Sequence, residues 1–252
     1  MTQNLTPYHN VIEKNYDVIA GTTIRTSKGR GYNLSLSSGD KQTAITNRKD
    51  LFQRLSIPSH RAIFARQVHG SDIISVSQSD TDNHPGASDH IIGECDSLIT
   101  DKKNILLCIQ TADCLPIFLY DPVRQVIALA HAGWRGTEKQ ILTKTIQSLS
   151  GVYNSKPEDI IISFGPGIHS CCYEVSSSFQ DIFSEPSLIR RGEGHFLDLI
   201  QENSLQAKSL GIQEGHILTE SSVCTACNMD RYFSYRKEGD SSGRMISYLA
   251  LT

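Results

Sequence analysis

The sequence predicts an α/β fold, a single domain over residues 1–252 in which layered mixed β-sheets are flanked by helices. Three observations carry this reading. Short apolar runs bounded by turn residues recur along the chain, and segments with apolar residues at helical spacing are interleaved with them. The links between successive runs are too short for an all-parallel sheet, and the alternation is too irregular for a (β/α)8 barrel. No shift in composition marks a linker, and no internal repeat is present.

The densest stretch, Cys95 to Glu138, holds three apolar runs at 105–109, 115–120 and 126–130, which read as buried strands. Asp121-Pro122 is a tight-turn signal, so the second and third runs are expected to pair as a hairpin. Upstream, residues 18–24 read as a strand and 33–36 as a second short one, with Gly29-Arg30-Gly31 breaking the chain between them. Asp40 is expected to cap a helix running to Leu55, because Ala44, Ile45, Leu51, Phe52 and Leu55 recur at helical spacing. Residues 62–68 and 72–76 read as strands meeting at His69-Gly70, and 77–93 as a polar surface loop. Downstream, 134–149 reads as one helix whose Ile141, Leu142, Ile146 and Leu149 share a face. Residues 160–164 read as a strand, 176–183 as a short helix, and 196–210 as a helix stopped by Gly211. Residues 216–219, 232–235 and 245–251 complete the chain as strands.

Composition narrows the function. The 24 basic and 27 acidic side chains leave a formal charge of −3, which gives no global field for nucleic acid. No apolar run approaches the roughly 20 residues of a membrane helix, and the N-terminus has no basic start followed by an apolar stretch. Seven cysteines, an odd number in a chain of this size, argue against a disulfide framework and for reduced thiols in a cytoplasm.

Chemistry concentrates at the ends of apolar runs. His69, Cys114 and His131 each follow one, and two imidazoles with one thiolate suit zinc with a fourth position left open. The same residues admit a cysteine nucleophile, with Cys114 attacking, His131 as base and Asp113 or His69 nearby. Arg48 falls on the buried stripe of its helix, as half of a structural ion pair or as an arginine reaching through the core to an anion site. Gly133-Trp134-Arg135-Gly136 opens a helix, where backbone N–H groups and the Arg135 guanidinium suit phosphate or carboxylate; a plain helix start with a packed Trp is the other reading. Gly165-Pro166-Gly167 makes a close turn able to border a ligand, and Arg25, Arg66 and Arg244 are further candidates for an anionic group. Cys171, Cys172, Cys224 and Cys227 are expected to be packed small residues; a four-thiolate zinc site or a redox pair at CTAC are the alternatives.

Together RQVHGSD, CDSLITD, TADCLPIFLYDP, ALAHAGWRG, GPGIHSCCYEV, CTACNMDRYFSYRKEG and SGRMISYLAL resemble the bacterial laccase-domain proteins, in order over nearly the whole chain. That family is also described as multicopper polyphenol oxidase-like, and its members as purine nucleoside phosphorylases. The resemblance implies a layered α/β fold related to a group of cysteine hydrolases and a zinc site at His69, Cys114 and His131. It implies phosphorolysis of adenosine, inosine, guanosine and methylthioadenosine, and deamination of adenosine. One branch is connected instead with peptidoglycan-precursor editing. Members of the family commonly have a Gly-Gly-Val-Ser-type loop after the first Thr-Arg; here the chain departs from the pattern and reads IRTSKGRGYNLSL. Within this frame Arg48 is the expected holder of phosphate and Asp113 the expected group for proton transfer. Nine histidines without a His-x-His pair fit a four-copper oxidase poorly, although an imidazole–thiolate set can take copper in vitro.

Overall fold

The core strands are continuous apolar runs rather than alternating ones because both faces of each large sheet are covered, as the computed structural model of the chain shows. The structure describes residues 8–9, 11–25, 31–82 and 91–252. In chain order these form β1 (Tyr8–His9), α1 (Val11–Asn15), β2 (Val18–Thr22), α2 (Lys41–Arg54), β3 (Ala62–Arg66), β4 (Ile73–Ser75), α3 (Gln78–Asp82), β5 (Ile91–Glu94) and β6 (Ser97–Thr100). Then follow β7 (Leu106–Thr111), β8 (Leu115–Asp121), β9 (Val126–Ala132), α4 (Trp134–Glu138), α5 (Ile141–Tyr153) and β10 (Ile161–Phe164). The remainder is β11 (Glu174–Val175), β12 (Leu188–Arg191), β13 (Gly194–Leu197), α6 (Leu199–Ser209), β14 (Ile217–Leu218), α7 (Tyr235–Glu238) and β15 (Met245–Leu251).

One six-stranded sheet has the order β1-β2-β15-β7-β3-β5 and a second the order β14-β10-β8-β9-β6-β4; β11-β13-β12 form a small third sheet. Both large sheets are mixed. β3 runs parallel to β5 and β7, β4 to β6, and β10 to β14, while the other pairs are antiparallel. β8 and β9 form the expected hairpin, with Leu115 opposite Ala132 and Asp121 opposite Val126.

Side-chain alternation then sorts the layers. Ile127 and Leu129 of β9 pack with Phe118 of β8 against Ile63, Leu107 and Leu249 of the first sheet. Val126, Ala128, Ala130 and Ala132 face the other way, onto Ile141, Leu142, Ile146 and Leu149 of α5 and Leu199 and Ala207 of α6. On the far side of the first sheet, Leu51 and Phe52 of α2 cover Phe64, Leu106, Ile246 and Tyr248. The result is helix, sheet, sheet, helix, the layered α/β architecture expected. Asp40 caps α2 by accepting from the Thr43 N–H, as its position predicts.

Several elements differ from expectation. Residues 33–36 are not a strand: the Asn33 side chain accepts from Ser35 N and Arg244 N and donates to Ser38 O, giving the backbone side-chain partners instead of a ladder. The helix at 134–149 is two helices, broken where Gln140 turns left-handed at φ 61°. At the break the Thr137 carbonyl accepts from Gln140 N and from Gln206 of α6, and its hydroxyl accepts from Asn203. Residues 196–210 divide into β13 and α6 at Asp198, whose carboxylate caps the helix through Gln201 N. Residues 177–181 form a 3₁₀ turn, and 232–235 lead into α7 rather than forming a strand. Part of the loop at 77–93 is α3 and β5; Gly29, Arg30 and residues 83–90 lie outside the described residues. All seven cysteines are unpaired, and no helix among the described residues is long and apolar enough to cross a membrane.

Leu129 is fully buried between the two sheets. Replacing it with alanine is expected to destabilise the fold by about 2–5 kcal/mol in urea unfolding, through lost burial plus the cavity left behind.

Candidate metal centre and cavity

The chain passes from the first sheet to the second at three links, β3 to β4, β5 to β6 and β7 to β8, and the site forms where they meet. His69 lies on the link from β3 to β4, and Cys114 on the link from β7 to β8. His131 is the sixth residue of β9; with Ile127 and Leu129, it points toward the first sheet. One donor atom from each of the three residues lies within 4.8 Å of the others. His69 Nε2 is 3.8 Å from Cys114 Sγ, and the two imidazoles meet edge to face with centroids 4.8 Å apart. Zinc bonds of about 2.0–2.1 Å to nitrogen and 2.3 Å to sulfur, at a tetrahedral angle, would set those donors about 3.5 Å apart. The spacing therefore fits one ion with little movement.

The residue that organises this arrangement is Asp96, which the sequence reading passed over. Its fully buried carboxylate accepts from three successive backbone N–H groups, Val68 (3.2 Å), His69 (3.1 Å) and Gly70 (2.6 Å). It also accepts from His131 Nδ1 at 2.8 Å, which leaves Nε2 of His131 as the free donor atom. The visible sequence signal was an acidic residue, in Cys95-Asp96-Ser97, just before the short strand Ser97–Thr100.

Charge follows from this geometry. Burial alone would raise the Cys114 thiol, but the imidazoles of His131 and His69 outweigh it and bring the pKa down to about 6. Burial likewise opposes a charge on His131, yet the Cys114 thiolate and the Asp96 carboxylate raise it to about 9. Burial of Asp96 is also outweighed, by the hydrogen bond from His131 and its charge, so its carboxyl is held below the ordinary range. Without metal, the pair is thus a thiolate and an imidazolium near neutrality. The stability His131 contributes is complete below its unfolded value of about 6.5 and is lost as pH rises through 9. That of Cys114 is complete above its unfolded value of about 9 and is lost as pH falls through 6.

Two residues at the site have left-handed backbone, His69 at φ 54° and Asp113 at φ 86°. Gly133 is confined by contact: a Cβ there would lie 2.8 Å from Cys114 Sγ and 3.3 Å from the His69 ring. Asp113, the residue expected for proton transfer, is tied to its neighbours. Its carboxylate accepts from Thr225 Oγ1 (2.6 Å), Ser234 Oγ (3.1 Å) and Arg236 N (2.6 Å), so it clamps the loops around Cys114.

The three residues line a cavity of about 1010 Å³, at the upper end of the roughly 300–1,000 Å³ typical of small-molecule sites. Arg48, Arg66, Arg135, Arg236 and Arg244 also line it, with Phe64, Trp134, Tyr173 and Tyr235 among the apolar surfaces. Arg48 is buried, its Nε donating to the Leu34 carbonyl at 2.9 Å and its guanidinium 4.2 Å above the Phe64 ring. Arg135 stacks 4.3 Å over Trp134, Arg236 lies 5.2 Å over Tyr173 and Arg244 lies 5.7 Å over Tyr235. Arg66 pairs with Glu94 at the exposed rim. Arg25 does not line the cavity; it pairs with Glu238 at 2.6 Å. Nor do the glycines of Gly165-Pro166-Gly167, which lie against Pro116 and Leu115. Tyr173, Arg236 and Gln67 sit in the wall without having been marked in the sequence.

A family model described as "Multi-copper polyphenol oxidoreductase laccase" matches residues 21–252. The chain belongs to this family. It is 34% identical over 248 residues to the protein named purine nucleoside phosphorylase YlmD of Geobacillus stearothermophilus, covering 92% of this chain and 89% of that one. It is also 34% identical over 226 residues to a Clostridium acetobutylicum protein named purine nucleoside phosphorylase, covering 87% of each. The crystal structure of the Bacillus licheniformis hypothetical protein YfiH superposes with a TM-score of 0.88 at 31% identity, over 99% of this chain and 98% of that one. The copper in the family's description sits uneasily with this laccase-family member. Among the described residues, the only group of possible metal ligands containing histidine is His69, Cys114 and His131.

In metal-free protein, alkylation of Cys114 by iodoacetamide is expected to rise with a midpoint near pH 6 rather than at the ordinary thiol value of about 8.5. Peptide mapping across a pH series measures this, and an ordinary midpoint would remove the ion pair from the account.

Proposed function

We propose that the protein is a zinc-dependent purine nucleoside enzyme that phosphorolyses adenosine, inosine, guanosine and methylthioadenosine and deaminates adenosine. The observation that carries the reading is the convergence of two imidazoles and one thiol in the wall of a cavity lined by arginines, in a chain whose relatives are named purine nucleoside phosphorylases. The cavity takes residues from Leu36 to Arg244, so residues 1–252 are read as one functional unit. Reduced thiols and the charge balance favour a cytoplasmic setting, with small molecules rather than nucleic acid or membrane as partners.

Zinc on His69, Cys114 and His131 would supply a Lewis acid at the cavity wall, able to polarise a substrate oxygen or acidify a water. The protein's own residues supply the rest. Arg48 and Arg135 hold phosphate, with guanidiniums that are already stacked on Phe64 and Trp134 and so lose little freedom on binding. Aromatic faces in the wall suit a purine. In phosphorolysis a phosphate oxygen bonds to C1′ while the C1′–N9 bond breaks, and the electron pair leaves with the purine, which takes up a proton. Asp113 acts by positioning the Cys114 turn, since its carboxylate accepts three hydrogen bonds from the loops around it. In deamination, water adds at C6 and ammonia departs.

One observation favours a second reading. The Cys114 sulfur and a His131 ring nitrogen lie within 4.8 Å of each other, an arrangement that also suits a cysteine hydrolase, which would act on an amide of a peptidoglycan precursor. Copper loading with polyphenol oxidation is the remaining alternative; it needs copper to displace zinc from the same three ligands.

Metal analysis followed by a nucleoside panel with and without phosphate separates these. Zinc-loaded protein should release free purine only with phosphate, and release ammonia from adenosine. If metal-free Cys114→Ala still phosphorolyses adenosine, the zinc reading fails; inactivation by alkylation, indifferent to chelator, would support the hydrolase. Asp96→Asn should weaken zinc binding by about 10–100-fold in competition with a chromophoric chelator, because His131 loses its orienting carboxylate.

A further inference from the structure

We propose that Cys171, Cys172, Cys224 and Cys227 form a second, separate metal centre, a closed tetrathiolate site for one zinc ion. The four sulfurs all lie within 4.8 Å of one another. Cys171 Sγ is 3.9 Å from Cys172 Sγ and 3.5 Å from Cys227 Sγ, and Cys172 Sγ is 3.3 Å from Cys227 Sγ. Four sulfurs bonded to one ion at about 2.3 Å in a tetrahedron stand about 3.8 Å apart, whereas a disulfide joins its sulfurs at about 2.05 Å. The set is also too compact for an iron–sulfur cluster, whose cysteine sulfurs surround inorganic sulfide and stand further apart.

Backbone pairing, not contact between the sulfurs, brings the two arms together. Thr225 N donates to Gly167 O at 2.9 Å and Gly167 N to Val223 O at 3.2 Å, so the two segments meet as an isolated bridge. Cys172 N closes a turn onto His169 O at 2.9 Å, which presents the adjacent cysteines to the CTAC turn. His169 N donates to Cys224 Sγ at 3.5 Å, a bond suited to a metal-bound thiolate. Binding releases four protons and leaves a centre of charge −2. Arg191 Nη1, bonded to Ser170 O at 3.0 Å, brings a guanidinium to the edge of this loop. Cys171 and Cys227 are exposed, which gives the ion a route in.

The site would brace the cavity from outside. One arm continues to Tyr173 in the cavity wall, and the other carries Thr225, whose hydroxyl holds Asp113 beside Cys114. With four protein ligands and no open position, its role is structural.

The test is zinc stoichiometry of protein expressed with zinc supplied, together with cobalt spectra. Wild type should carry two zinc ions per chain, Cys114→Ala one, and Cys227→Ser one. Cobalt-loaded Cys114→Ala should show intense sulfur-to-cobalt charge transfer and tetrahedral d–d bands, lost in Cys114→Ala/Cys227→Ser. Zinc-free Cys114→Ala would overturn the proposal, as would non-reducing peptide maps joining Cys227 to Cys171 or Cys172. Should the variants not fold, wild type with one zinc ion and four alkylatable thiols at these positions overturns it equally. Failure of the His69–Cys114–His131 reading looks different: Cys227→Ser would then be metal-free while Cys114→Ala keeps its ion.

Discussion

The Asp96 carboxylate is the point on which the site depends. A buried charge without partners is costly, and this one is satisfied by three consecutive N–H groups and one imidazole. Those four bonds do two things at once. They wrap the 68–70 turn around a single anion, which sets where His69 leaves the backbone. They also fix the tautomer of His131, so that the nitrogen facing Cys114 is the one able to accept a metal or a proton. A neutral residue of the same size could fill the space but could not satisfy three N–H groups and an N–H of the ring together.

This knot lies where the architecture brings distant sequence together. His69 and Cys114 stand on two crossings from the first sheet to the second, and His131 on a strand beside them. Because the sheets pack face to face, the crossings converge at one edge of the sandwich, and the cavity opens there. α2 covers the opposite face of the first sheet, yet its Arg48 reaches the same cavity past Phe64. The placement of a cation near a metal centre is therefore a property of the layering, not of proximity along the chain.

Strands were legible in the sequence where a continuous apolar run such as Leu115–Tyr120 is bounded by turn residues; the equally buried Ser97–Thr100 was not, because half of its residues are polar. The triad was legible because histidine and cysteine at the ends of such runs are chemically distinctive. Asp96 was not, because an acidic residue before a strand looks the same whether it is solvated or buried beneath four donors. The break at Gln140 was not, because the helical spacing of Ile141, Leu142, Ile146 and Leu149 carries no mark of it, while the contacts of Thr137 with Asn203 and Gln206 come from more than 60 positions away in sequence. The same limit kept the cysteine cluster an alternative: Cys171-Cys172 and CTAC allow a four-thiolate set, but they are ordinary apart, and the bridge between Gly167 and Cys224 is what unites them.

Left-handed backbone at His69 and Asp113 completes the argument for preorganisation. A non-glycine residue there carries strain of about 1–3 kcal/mol, which persists only where surroundings over-determine it. At His69 the surroundings are the three N–H bonds to Asp96. At Asp113 they are its own carboxylate, held by Thr225, Ser234 and the Arg236 N–H, and its carbonyl, held by Ile168 N at 2.7 Å. Neither set of bonds involves the donor atoms of the triad. The geometry at His69 and Cys114 is thus imposed by the fold before any ion arrives, and Gly133, with no room for a methyl group against Cys114 Sγ, closes the same wall. A site shaped this way has its candidate ligands gathered in advance, so an ion entering it would meet little of the cost of bringing them together.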